Sequence, residues 1–95
     1  GYSVEFASDG LTALERARQL KPQILVVEIL VPKLDGLSLC RELKTDPSTS
    51  QSRVLIFSHL HAEDRAREVG ADAFLLKPLN EELLIETVEK LIAIR

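Results

Sequence analysis

The sequence predicts an open α/β fold built on a parallel sheet, with four strands and four helices in the order β-α-β-α-β-α-β-α. Three observations predict it. Short runs rich in Val, Leu and Ile recur along the chain, separated by stretches with helical apolar spacing. Three of these runs are nearly continuous in apolar residues, which suits strands covered on both faces of a parallel sheet. Strands and helices alternating at this spacing imply parallel pairing through right-handed crossovers.

Each element follows from local signals. "YSVEFA" (2–7) alternates as a half-buried strand does, and "SDG" (8–10) supplies helix start signals. In "LTALERARQL", Leu11, Leu14, Ala17 and Leu20 form one inward stripe. Lys21-Pro22 ends that helix, because proline disfavours helical geometry in the residue before it. "QILVVEI" (23–29) is a buried strand, "VPKLDG" a loop, and "LSLCRELKTD" a short helix with Leu37, Cys40 and Leu43 facing inward. The polar "PSTSQS" leads to a buried strand, "RVLIFS" (53–58). "AEDRAREVG" is a short helix stopped by Gly70 in a left-handed cap. "AFLL" (73–76) is the fourth strand. After "KPL", "NEELLIETVEKLIAI" is a long helix capped by Asn80, with Glu81 and Glu82 at its positive end.

A chain of 95 residues makes one domain, 1–95, and at this size about 60–65% of the unfolded surface is buried. Its 45% hydrophobic and 28% charged residues are ordinary for a globular chain. The net charge of −3 argues against nucleic acid as a partner held by bulk electrostatics. One cysteine, Cys40, excludes an intrachain disulfide and fits a cytoplasmic, reducing compartment. Without a neighbouring base, that cysteine is a core residue on its helix. No apolar run approaches the ~18–20 residues of a membrane span, so no membrane partner is expected. His59 and His61 in "SHLHAED" are too few ligands for a metal, and no cofactor is expected.

The chemistry converges in one place. Sheets of this kind gather ligands at the carboxyl ends of their strands. Glu28, Ser58 and Lys77 all fall there, from three different strands. Taken alone, Glu28 and Lys77 also admit a plain structural reading, as an ion pair at the strand ends.

In these segments the sequence resembles a response-regulator receiver domain, the phospho-accepting module of two-component signalling, with a CheY-like, flavodoxin-like fold. "PQILVVEILVPKLDG" resembles the strand and loop of the phosphorylation site, "VLIFS" the strand with its hydroxyl switch, and "GADAFLLKP" the strand with its switch aromatic and Lys-Pro. The resemblance places Glu28 at the phospho-acceptor Asp, Ser58 and Lys77 at the phosphoryl contacts, and Phe74 at the switch aromatic. It places the Leu30 carbonyl at a metal ligand, and gives Pro32, Asp35, Gly36 and Pro78 the shaping of the loops. Three departures stand out: the acceptor is Glu, the helix before Gly70 is about one turn short, and the family's first strand and helix, with the acidic pair that holds Mg²⁺, would precede residue 1. The expectation is therefore a pseudo-receiver: not an enzyme, not phosphorylated, without metal or small-molecule substrate, acting through protein partners. The alternatives are a phospho-accepting receiver whose metal site lies in an N-terminal segment, or an excised or engineered fragment. With the family's first strand absent, "YSVEFA" is expected to pair directly with "ILVVE". Three helices then cover one face of the sheet and one covers the other. The uncovered apolar part favours a homodimer.

Overall fold

A computed structural model describes residues 4–7, 9–29, 35–78 and 80–93. One sheet holds β1 (Val4–Ala7), β2 (Ile24–Glu28), β3 (Arg53–Ser58) and β4 (Ala73–Leu76), all parallel and in the order β1-β2-β3-β4. The helices are α1 (Gly10–Leu20), α2 (Gly36–Thr45), α3 (Glu63–Glu68) and α4 (Glu81–Ala93). The sequence-derived order of elements and the direct pairing of β1 with β2 are both observed.

The register explains the sequence pattern. Ile24, Val26 and Leu55 point to the face covered by α4, where Val88 and Leu91 pack on them. Leu25, Val27, Val54 and Ile56 point to the opposite face, under α1, α2 and α3. β2 is therefore apolar at each of its first four positions because both faces are dry. β1 is different: Val4 and Phe6 share the α4 face with Ile24 and Val26, but α4 lies over β2, β3 and β4. Phe6 is left 64% exposed.

The stripe expected on α1 needs correction. Ala13 and Ala17 face the core, Leu14 is half-buried, and Leu11 and Leu20 are exposed. Alanines four residues apart let the helix axis come close to the sheet and to α2, and that approach turns the two leucines outward. The ends of α1 are fixed by its flanking residues. Asp9 accepts from the N–H groups of Leu11 and Thr12, and Lys21 closes the helix in a left-handed conformation (φ 46°), its N–H bonded to Ala17. On α2, Cys40 and Leu43 are buried as expected, Leu37 is only half-buried, and Leu39 joins the core. Gly70 has the positive φ (89°) predicted for the stop after α3. Asn80 accepts from Leu83 N–H at the start of α4.

At the end of the sheet away from the strand carboxyl termini, Asp72 ties three segments together. Its carboxylate accepts from Val54 N–H at 2.8 Å, meets Lys44 Nζ at 2.8 Å and lies 3.6 Å from Arg53. Lys44 also donates to the Ser52 carbonyl at 2.8 Å. This polar clamp holds the last turn of α2 against the starts of β3 and β4.

Candidate functional site

The site forms where β2, β3 and β4 end. Glu28 is the last residue of β2 and is registered with Phe57 of β3. Lys77 follows β4, and its backbone N–H donates to the Ser58 carbonyl at 2.8 Å, which continues the ladder one step beyond the strand. Its side chain turns back across β3. The ammonium donates to Glu28 Oε1 and stands 5.0 Å from the centroid of the Phe57 ring. Phe57 lies between the two strands that carry the pair, so its ring supplies an aromatic face under the cation. The Glu28 and Lys77 side chains are 28% and 21% exposed. The pair is thus partly shielded from water, and its attraction exceeds that of a surface pair.

Ser58 sits one residue beyond Phe57 on β3, so the alternation of the strand turns it to the other face. It is buried, and its hydroxyl accepts from Leu60 N–H at 3.1 Å. Phe74 is registered with Ile56 and packs against the three-helix side of the core. Of the sequence-predicted residues, then, Glu28 and Lys77 are brought into contact, while Ser58 and Phe74 lie on the opposite face. Phe57 is a participant that sequence reasoning missed. An aromatic within a buried strand carries no local signal of a cation-binding role.

The residues expected to shape the loops have separate jobs. Asp35 caps α2, accepting from Ser38 N–H at 2.9 Å and from the Ser38 hydroxyl at 2.9 Å. The Ser38 backbone bond, with help from the hydroxyl, holds the Asp35 carboxyl below its ordinary pKa. Gly36 donates to the Ile29 carbonyl at 2.9 Å and packs directly on the end of β2. A Cβ there would lie 2.5 Å from the Glu28 carbonyl oxygen and 2.8 Å from Val27 Cγ1. Only glycine permits that approach. The Lys77-Pro78 peptide bond is cis. Leu30 and Pro32 lie outside the described residues.

A hard divalent cation needs several oxygen ligands. Among the described residues no three His, Cys, Asp or Glu side chains converge to supply them, and the Glu28 carboxylate is already engaged by Lys77. The described residues do not fit such an ion. Among the described residues, no helix is long and apolar enough to cross a membrane.

The chain belongs to the response regulator receiver domain family, whose model matches residues 1–89. Among curated relatives it is 38% identical over 93 residues to the response regulator PleD of Caulobacter vibrioides, covering 95% of this chain and 20% of that protein. It is also 38% identical over 93 residues to the response regulator MprA of Mycobacterium leprae, covering 97% of this chain and 41% of the relative. The chain therefore spans less than half the length of these relatives. Among solved structures it is similar to a putative response regulator from Chloroflexus aurantiacus, with a TM-score of 0.86 and 27% identity over 93% of this chain and 75% of that one. It is similar too to the receiver domain of a histidine kinase from Syntrophus aciditrophicus, with a TM-score of 0.84 and 30% identity over 98% of this chain and 73% of that one.

Proposed function

We propose that this receiver domain is a pseudo-receiver, acting in the cytoplasm through protein contacts and not through a cycle of phosphorylation or any catalytic turnover. The observation that carries the reading is the contact between Glu28 and Lys77. In this reading Glu28 takes the position of the family's acceptor aspartate. Its extra methylene moves the carboxylate by roughly an ångström, beyond the ~0.5 Å that reacting geometry tolerates. The same reach carries the negative charge to Lys77, as a phosphoryl group on a shorter side chain would. Ser58, with its hydroxyl turned to Leu60, takes no part in that contact. In this reading Glu28 holds the strand ends permanently in the charged arrangement.

The test is incubation with acetyl phosphate and Mg²⁺, followed by intact-mass measurement. The expected result is no phosphoryl adduct. An acid-stable, hydroxylamine-sensitive adduct mapped to Glu28 would establish the phospho-accepting alternative. A symmetric homodimer accompanies the proposal. It is supported by Phe6, a large aromatic left 64% exposed at the β1 edge of the sheet face, beyond the strands β2, β3 and β4 that α4 lies over.

A further inference from the structure

β1 is an edge strand. It pairs with β2 on one side, and among the described residues no backbone group bonds its outer side. In a parallel ladder alternate residues turn their N–H and C=O groups away from the neighbouring strand, so the four residues Val4–Ala7 present a row of free donors and acceptors. Natural edge strands are blunted by proline, lysine, a bulge or a covering element. Val4–Ala7 holds no proline or lysine, and its register with β2 runs without a bulge. α1 does not close over the strand either. A groove of about 300 Å³, lined by Glu5, Phe6, Thr12 and Arg16, opens between the two. The other edge strand, β4, runs into Lys77-Pro78, where the proline has no N–H to offer.

The side chains fit this edge to a copy of itself. Val4 and Phe6 lie on the α4 face, where Val4 packs at the margin of the core and Phe6 is bare. Glu5, the one charge of the strand, falls on the other face by alternation. Arg16 Nη2 stands 3.3 and 3.4 Å from its two carboxylate oxygens, so that charge is balanced within the chain. No foreign counter-charge is required. What the edge lacks is partners for its backbone and cover for one aromatic ring, and a second β1 supplies both.

We infer that two copies associate by antiparallel pairing of β1 with β1, which joins two four-stranded sheets into one continuous sheet. The inference rests on the homodimer proposed above and gives it a geometry. A twofold axis perpendicular to the sheet keeps each residue on its own face, so Phe6 of both copies lies on the α4 face. Centred on Phe6, the axis sets the two rings opposite each other as an aromatic cross-strand pair. Centred on Glu5, it would set two carboxylates opposite each other, which is unfavourable. The Phe6-centred register is the one the side chains select. Such a contact is self-complementary and stops at two copies. Stacking of two sheets face to face would also cover Phe6, but it would leave the backbone of β1 unpaired.

The test joins a mass to a map of the contact. Light scattering over a concentration series finds where the dimer dissociates, and amide hydrogen exchange followed by NMR is then measured above and below that concentration. Alternate amides of residues 4–7 should exchange slowly in the dimer and lose their protection on dilution. In a mixed dimer of isotope-labelled and unlabelled chains, intermolecular NOEs should join the backbone of residues 5–7 to the same residues of the partner, and the two Phe6 rings to each other. NOEs running instead from Phe6 to the partner's Leu84 or Ile92 would mean face-to-face stacking. That result overturns the edge pairing and leaves the homodimer standing, as does a dimer whose β1 amides all exchange as fast as in the monomer. A chain that stays monomeric at every concentration overturns both.

Discussion

Lys77 crosses the end of β3 to donate to Glu28 Oε1, with the ring of Phe57 beneath its ammonium group. The contact joins residues 49 positions apart in sequence and closes the carboxyl edge of the sheet. Its strength is set by partial burial. Exposed ion pairs contribute about 0.2–1 kcal/mol, and shielded ones more at the expense of desolvation. A double-mutant cycle of Glu28→Gln and Lys77→Met, followed by urea denaturation, should give a coupling energy of about 1 kcal/mol. A coupling near zero would remove the pair from the account of this site.

Gly36 is the second fixed point of that edge. The first turn of α2 rests on the carbonyl of Glu28, and a methyl group at position 36 would strike backbone atoms that cannot swing aside. Gly36→Ala should destabilise the domain by about 1–3 kcal/mol, as overpacking does in a close-packed interior. Gly70→Ala is the informative comparison. There a Cβ meets only the flexible Lys44 side chain at 3.3 Å, and the penalty comes from the positive φ. That penalty is about 1–2 kcal/mol. Thermal denaturation of the two variants should rank Gly36→Ala as the more damaging.

Asp35 makes the start of α2 sensitive to acid. The Ser38 N–H, assisted by the Ser38 hydroxyl, favours the charged carboxyl and lowers its pKa on folding. The stabilisation is therefore complete above the ordinary carboxylate pKa of about 3.9 and is lost as pH falls through the lowered folded value. Asp35→Ala should cost about 0.5–2 kcal/mol at neutral pH, while Asp35→Asn should retain most of the cap. The gap between wild type and Asp35→Ala should shrink as the pH is taken below the ordinary carboxylate range. A gap that stays constant down to acid unfolding would mean that the carboxylate charge contributes nothing to the cap.

Much of this architecture was legible because both sheet faces leave marks in the sequence. The run Ile24–Val27 is apolar at every position, and that reports burial on two sides. Asp9, Asp35 and Asn80 announce three helix starts through side chains that cap locally. The inward face of α1 was harder to read. Leu11 and Leu20 carry more apolar surface than Ala13 and Ala17, yet close approach selected the alanines, and sequence spacing does not weigh size against distance. In the site, the positions of Glu28, Ser58 and Lys77 at strand ends followed from the pattern. The face each side chain takes depends on register, which is a tertiary property. Hence spacing groups Ser58 with Glu28 although its side chain points away, and it gives no mark of Phe57.

Cys40 lies at the heart of the larger core cluster, where its thiol donates to the Val69 carbonyl at 3.5 Å. Burial pushes its pKa up to about 11. The thiolate is the reactive form, so the folded protein should resist thiol reagents at pH 8 and react as fast as a free thiol once unfolded. The sign carries over to stability. Cys40 is neutral in both states below its unfolded pKa of about 8.5–9, and from there upward only the unfolded thiol ionises. Between that range and pH 11 the wild type should lose stability relative to Cys40→Ser, measured by urea midpoints across the pH range. Rapid labelling of the native protein at pH 8 would show that the α2–α3 packing opens readily.

Phe6 separates the stability of the fold from its assembly. A large aromatic that is 64% exposed loses little by truncation in an isolated chain. It is registered with Val26, but α4 leaves its outer side bare. Phe6→Ser should therefore change the unfolding free energy of the dilute protein by no more than about 0.5 kcal/mol, the range of ordinary surface substitutions. If the bare end of the sheet is where two copies meet, the same substitution should abolish dimerisation. Fully burying such a ring is worth about 1.5–3 kcal/mol on each side. The dependence on salt should be weak, because apolar contact is not screened as charges are. Light scattering over a concentration series gives the mass, and denaturation at low concentration gives the stability. A variant that dimerises as well as wild type would assign the dimer to another surface. A variant that loses stability without any change in mass would mean that Phe6 is covered within its own chain.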